Sequence, residues 1–292
     1  MKSSKFVTLN LGIKKNLLDG LLIILAQHSI TTLISTLNKF CAAPVAISRI
    51  NIRKCNPKYI FINSGNANAC TGIEGENNVK IILRNLSNKL KCKPSEIIIM
   101  STGIIGRQLP MDNILNSISK NSMENYSTIK DAAKAIMTTD KFPKFLSKTY
   151  KIDSKKIMFK GICKGAGMIE PNMATMLAFI ETNVKINNQA LNKYLKHCAA
   201  LSFNSISVDG DTSTNDCVAM TTTNEVTINL NKKANENKFL KYASEFFINL
   251  SSLIVKDGEG ATKIIQLNVI NASNSNIAQE ICKTISKSLL VK

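Results

Sequence analysis

Tryptophan is absent from the 292 residues, histidine occurs twice, and only four of the 38 basic residues are arginine (Arg49, Arg53, Arg84, Arg107). With His28 beside an apolar strand pattern and His197 inside an amphipathic helix pattern, a histidine-based triad has poor material. The G-x-S-x-G elbow is also missing, so both histidines read as structural. The scarcity of arginine tempers the net charge of +18. Bidentate phosphate contacts and base readout favour arginine, and stacking on single strands needs aromatics, which make up 5% of the chain. The lysines are scattered among abundant Asn and Ile, a pattern of codon drift rather than of a nucleic-acid face. Eight dispersed cysteines form no C-x-x-C pair, which excludes a zinc ribbon or finger and suggests a reducing compartment. The longest apolar run near the start, Leu21 to Ala26, is far too short to span a bilayer, and no signal-peptide core follows Met1. The expectation is a cytoplasmic protein with no membrane contact.

Present instead is interleaved strand and helix periodicity without repeats or low-complexity linkers, which predicts one α/β body. Short strands are expected in residues 1–40, with extended chain through Cys41–Ile47, since residues before proline avoid the helical region. Further strands are expected at Tyr59–Ile62, at Glu96–Met100 (broken by Ser101-Thr102-Gly103), at Ile157–Ile162 after a hairpin at 150–158, and at Met176–Ile180. Cys217–Thr221, Glu225–Leu230 and Lys263–Ile270 complete the strand set. Helices are expected over 74–91, 110–122, 128–137, 188–202, 236–255 and 276–289, from apolar stripes such as Val79, Ile82, Leu83, Leu86 and Leu90.

Local motifs are weak one by one. Gly161-Ile162-Cys163-Lys164-Gly165-Ala166-Gly167 lacks the phosphate-loop spacing, and Pro171 intervenes before any helix. Asp209 to Asp216 fails as a calcium loop, with Thr214 at the sixth position and Met220 at the twelfth; a self-bonded Asx turn fits it better. Ser101-Thr102-Gly103, at a strand end, can aim a hydroxyl and an N–H at one spot, as an oxyanion hole requires. Thr175 stands where a small-residue loop feeds an apolar strand, a suitable mounting for a nucleophile.

Taken in order, the segments are more specific. Asn38-Lys39-Phe40-Cys41-Ala42-Ala43-Pro44-Val45, Asn63-Ser64-Gly65-Asn66-Ala67-Asn68-Ala69-Cys70-Thr71-Gly72, Ser101 to Gly106, Leu109 to Asp112 and Met137-Thr138-Thr139-Asp140 are followed by Lys164 to Ile169. Then come Pro171-Asn172-Met173-Ala174-Thr175-Met176-Leu177, Val208 to Asp216 and Asp257-Gly258-Glu259-Gly260-Ala261-Thr262-Lys263. This series resembles the glutamate N-acetyltransferase (ornithine acetyltransferase) family of arginine biosynthesis. The resemblance implies a layered α/β sandwich of the N-terminal-nucleophile-like type. It also implies self-cleavage between Ala174 and Thr175, giving an alpha chain of 1–174 and a beta chain of 175–292. Thr175 would then carry acetyl from N-acetylornithine to glutamate, its own α-amine serving as base. Thr102 and Gly103 match the family's oxyanion-hole pair, and Thr139, Lys164, Thr175 and Glu259 its substrate-binding positions. No metal or cofactor is implied; acetyl-CoA stays open as a co-substrate. The implied partners are the small-molecule substrates and a heterotetramer of two alpha and two beta chains.

The chain departs from the family pattern in ending at Lys292 without the D-P-N-W-G-R block, and in replaced glycines across Ile30 to Thr36. On that count either a C-terminally shortened gene product or a fragment of a longer chain is expected. An inactive remnant of the enzyme, or a related N-terminal-nucleophile amidohydrolase, are the alternative readings.

Overall fold

The computed structural model describes residues 2–15, 17–170, 176–288 and 290–291. Strands β1 (Lys5–Leu9), β2 (Gly20–Ile24) and β3 (Ile30–Ser35) come first. Helix α1 (Ala43–Lys54), β4 (Tyr59–Asn66), α2 (Gly72–Leu90), β5 (Ile97–Ile104), α3 (Met111–Lys120), α4 (Ile129–Ala135), β6 (Lys144–Ile152) and β7 (Lys155–Lys164) follow. Beyond 171–175 the chain continues as β8 (Leu177–Val184), α5 (Asn188–Ala200), β9 (Cys217–Val226), α6 (Lys233–Lys256) and α7 (Ser275–Ser286).

Two sheets stack, with helices covering their outer faces. The first has the order β1-β2-β4-β5 and the second β3-β9-β8-β7-β6. Strands covered on both sides must be apolar on both sides, which is why Leu21–Ile24 and Ile97–Met100 are unbroken hydrophobic runs. One set of their side chains (Leu21, Ile23, Ile60, Ile62, Ile98, Met100) meets Ile162, Leu177, Phe179, Cys217 and Ala219 of the second sheet. The other set packs under α2 and α3 through Val79, Ile82, Leu86, Ile114 and Ile118. On the far side, Phe239, Phe246, Phe247 and Leu250 of α6 close over Phe159, Ala178 and Ile180. Each such side chain contributes about 1.5–3 kcal/mol on burial. The α/β expectation is therefore met as a four-layer arrangement, helices–sheet–sheet–helices.

The second sheet draws β3, β6 and β7 from before residue 175 and β8 and β9 from after it. The two segments 1–174 and 175–292 thus share one sheet and are not separate domains.

Several local expectations are corrected. Cys41–Ile47 is not extended: α1 begins at Ala43 with Pro44 in its first turn. There the missing N–H costs nothing, since the first helical N–H groups have no intrahelical partner. Ser101-Thr102-Gly103 does not end β5; parallel pairing with β4 carries it to Ile104. The hairpin is longer than expected, β6 and β7 meeting at Asp153-Ser154, both at positive φ (47° and 62°) as a tight primed turn demands. Glu225–Leu230 is no separate strand, because β9 runs unbroken to Val226. Nor is 263–270 a strand: no described strand edge pairs with it, and Ile264, Ile265 and Ile270 are exposed. His28 and His197 lie exposed, one in a turn and one on α5. No helix of the described residues is long and apolar enough to cross a membrane.

Candidate active site

The polar ends of β4 and β5 lie side by side, Asn63–Asn66 against Ser101–Ile104. Gly65 and Gly103 face each other at φ 101° and 130°. A Cβ on Gly103 would fall 2.3 Å from the Gly65 carbonyl carbon and 2.5 Å from the Asn66 nitrogen, so this close backbone approach requires glycine. Buried amides satisfy the carbonyls that the irregular strand ends would strand. Asn63 Nδ2 donates to Asn66 O (2.8 Å), and Asn215 Nδ2 donates to both Ala67 O (2.6 Å) and Ser101 O (2.9 Å). Asn215 comes from the Asp209–Asp216 loop, so that acidic loop serves as a clamp on the strand ends. Its Asx-turn character holds: Asp209 Oδ1 accepts from the Asp211 N–H (3.1 Å).

Lys164 ends β7 and points into this corner. Its Nζ donates to Thr138 Oγ1 at 2.7 Å and to Thr102 Oγ1 at 3.1 Å, and the residue is buried. Burial pushes its ammonium below the ordinary lysine pKa; Asp140 opposes that and the like charge of Lys144 adds to it. Burial alone would raise the Asp140 carboxyl, but the adjoining Lys164 and Lys144, with the Gly165 N–H (2.8 Å), hold it below the usual carboxylate range. Lys144 is fully buried between Asp140 (2.6 Å) and Asp257 (2.5 Å). Asp257 also accepts the Lys141 N–H at 2.9 Å.

Glu259 stands on the same loop as Asp257 and is exposed. Its N–H donates to Ala166 O at 2.8 Å, and its carboxylate lies so close over Gly167 that a Cβ there would meet Glu259 Cδ at 2.7 Å. Lys164 and Glu259 are therefore joined by a three-residue glycine-rich step, a cation at one end and an anion at the other. The next residues, Met168 and Ile169, both donate their N–H groups to Asp209.

Asp216 closes the acidic loop. It is buried, with Oδ1 accepting the Met176 N–H at 2.9 Å and Oδ2 without a partner among the described residues. Burial raises its carboxyl well above the ordinary aspartate value, and the Met176 amide, the Ser213 hydroxyl and Lys164 offset only part of this.

The structure thus brings together Thr102, Gly103, Lys164 and Glu259. Ala174 and Thr175 lie outside the described residues, which resume at Met176; Leu177 then pairs with Lys164 across β7 and β8. Thr139 is exposed, and the hydroxyl on Lys164 belongs to its neighbour Thr138. Sequence reasoning did not single out Thr138, Asp140, Lys144, Asp216 or Asp257. Four of these five lie within quoted motifs, so the signal was the motif itself; Lys144 had none.

Such a corner suits acyl chemistry on an amino acid. A cation and an anion match a carboxylate and an ammonium. The Thr102 hydroxyl, already accepting from Lys164, keeps its own proton free for donation to a developing oxyanion.

Comparisons with known proteins agree with this geometry. The profile of the ArgJ family matches residues 5–292. The "Arginine biosynthesis bifunctional protein ArgJ, mitochondrial" of Dictyostelium discoideum is 42% identical over 298 aligned positions, covering 100% of this chain and 67% of that protein. Three of the curated relatives are covered over 61, 67 and 70% of their length, so the chain spans roughly two thirds of them. A crystal structure of the Bacillus halodurans bifunctional protein argJ is similar with a TM-score of 0.52 and 31% identity, covering 59% of this chain and 92% of that one. An l-aminopeptidase d-ala-esterase/amidase from Ochrobactrum anthropi, described as a variant of the Ntn hydrolase fold, shares the fold at TM-score 0.53 with 7% identity, over 87% of this chain and 84% of that one. The chain belongs to the ArgJ family, an acyltransferase family of arginine biosynthesis.

Proposed function

We propose that this acyltransferase moves the acetyl group of N-acetylornithine to glutamate through an acetyl ester on Thr175, formed after the chain cuts itself between Ala174 and Thr175. In the cut, the Thr175 hydroxyl adds to the Ala174 carbonyl, and its proton passes to the Thr175 nitrogen as the C–N bond breaks. Water then hydrolyses the ester, leaving the Ala174 carboxylate and a free α-amine, and so the segments 1–174 and 175–292 as two chains. That amine, with a reference pKa near 8, takes the hydroxyl proton in the transfer reaction. Thr175 attacks the acetyl carbonyl, ornithine leaves with the proton, and the glutamate amine reverses the sequence.

The observation that carries this reading is the Lys164–Thr102 hydrogen bond beside the Gly65–Gly103 crossing. It leaves the Thr102 proton and the Gly103 N–H as donors for the tetrahedral oxyanion, each worth about 3–4 kcal/mol in the transition state. Lys164 takes the substrate carboxylate and Glu259 its ammonium, with Thr138 and Thr139 on the adjoining segment. Two alpha and two beta chains form the proposed assembly.

Intact-mass measurement under denaturing conditions tests the reading. Two fragments meeting at Ala174/Thr175 are expected, and one intact chain for Thr175→Ala. Isotope-labelled acetyl should pass from N-acetylornithine to the fragment beginning at Thr175 and then to glutamate; acetyl-CoA as donor in the same assay reads the second activity. An uncut wild-type chain that acquires no label refutes the proposal.

A further inference from the structure

Lys144 is fully buried, and no substrate group in the proposed reaction reaches it. It joins Asp140 to Asp257 by two short ion pairs. A buried lysine between two carboxylates is expensive to desolvate, and its presence is weak evidence for stability. What it does accomplish is geometric. Asp140 holds the Lys164 loop, accepting the Gly165 N–H at 2.8 Å and the Thr138 N–H at 2.9 Å. Asp257 holds the start of the Glu259 loop and accepts the Lys141 N–H. The Asp257 Oδ1 atom is buried with no partner among the described residues, so Lys144 and the Lys141 N–H, both on Oδ2, are what pin this carboxylate.

We propose that Lys144 is a positioning residue that locks the carboxylate-gripping Lys164 loop to the ammonium-gripping Glu259 loop, so that the two ends of the amino-acid substrate are bound as one coupled unit. The inference rests on the functional reading above, in which Lys164 and Glu259 hold those ends. Occupying the Lys164 end then tightens the Asp140–Lys144–Asp257 ladder, and the tightening is felt at the Lys141 amide on the far carboxylate. Coupling of this kind changes affinity or protection by about 5-fold or more.

Norvaline separates the two ends, because it is ornithine without the side-chain ammonium. Amide hydrogen exchange is measured on the wild-type protein with ornithine and with norvaline. Ornithine is expected to slow exchange at both Gly165 and Lys141; norvaline, reaching only the Lys164 end, is expected to slow both as well. In Asp257→Asn, which keeps an acceptor for the Lys141 N–H but weakens the link to Lys144, norvaline should protect Gly165 alone. A purely structural role for the ladder gives no ligand-dependent change at Lys141. Norvaline protection confined to Gly165 in the wild type overturns the inference while leaving the functional reading intact, and this arm needs no variant to fold. Protection of Lys141 that persists undiminished in Asp257→Asn also overturns it. If neither ligand protects Gly165 in the wild type, the reading of Lys164 fails and this inference falls with it.

Discussion

Replacing Gly103 by alanine is the sharpest perturbation of the strand crossing. The residue sits at φ 130°, outside the region open to L side chains, which costs roughly 1–3 kcal/mol. The added Cβ would also meet three backbone atoms, Gly65 C at 2.3 Å, Asn66 N at 2.5 Å and Gly65 O at 2.6 Å. Backbone cannot swing aside as a side-chain tip can, so β4 and β5 must part, and overpacking of this kind costs a further ~1–3 kcal/mol. The total is about 4 kcal/mol. Gly106 provides the control: it too has positive φ (77°), but nothing lies within 4 Å of its Cβ position. Gly106→Ala should therefore cost only the conformational term, about 1–2 kcal/mol. Urea unfolding of both variants, at unchanged slope, reads the difference directly. Gly103→Ala within about 1 kcal/mol of Gly106→Ala would refute the claim that the two backbones touch.

Asp216→Asn keeps an acceptor for the Met176 N–H but removes a carboxyl whose folded pKa is raised, chiefly by burial. A raised acid contributes stability at pH below its unfolded value and loses it as pH rises through the folded value. The variant should therefore gain on the wild type progressively from about pH 4 upward; a pH-independent difference in urea midpoints would contradict the assignment. Asn215→Ala strands the Ala67 and Ser101 carbonyls and should cost about 2–4 kcal/mol by the same measurement. Lys164→Met removes a charged donor and should raise KM for the amino-acid substrate roughly 10- to 100-fold. In the wild type, carboxylate binding should fade on the alkaline side at lower pH than an ordinary lysine allows, because burial depresses this ammonium. Finally, a chain cut at Thr175 should elute as one particle in native buffer and as two only in denaturant, since β7–β8 and β3–β9 pair across the cut.

The family and the α/β class were legible in the sequence because both depend on local order. Apolar runs at Leu21–Ile24, Tyr59–Ile62 and Ile97–Met100 require cover on two faces, and the motif series carries its meaning in its order. The same order singles out Thr102, Gly103, Lys164 and Glu259 as candidates, which the fold sets around one corner. Where pairing decided, local signals misled. Ser101-Thr102-Gly103 looks like a strand terminator, yet the ladder to β4 carries the strand through it. Residues 263–270 look like a strand, yet have no described edge to join.

What only the tertiary structure decided is which of the polar residues act together. Thr138 and Thr139 are chemically identical neighbours, and only the fold sets the former on Lys164. Lys144 is one lysine among many in the sequence; the Asp140 and Asp257 carboxylates, brought to it from two segments, turn it into a buried bridge. Asp216 and Met176 are 40 positions apart and meet because β8 and β9 are parallel neighbours. Composition and motif order are properties of the chain taken residue by residue. Burial, counter-charge and strand pairing are set by residues distant in sequence, and at this site they determine what each side chain does.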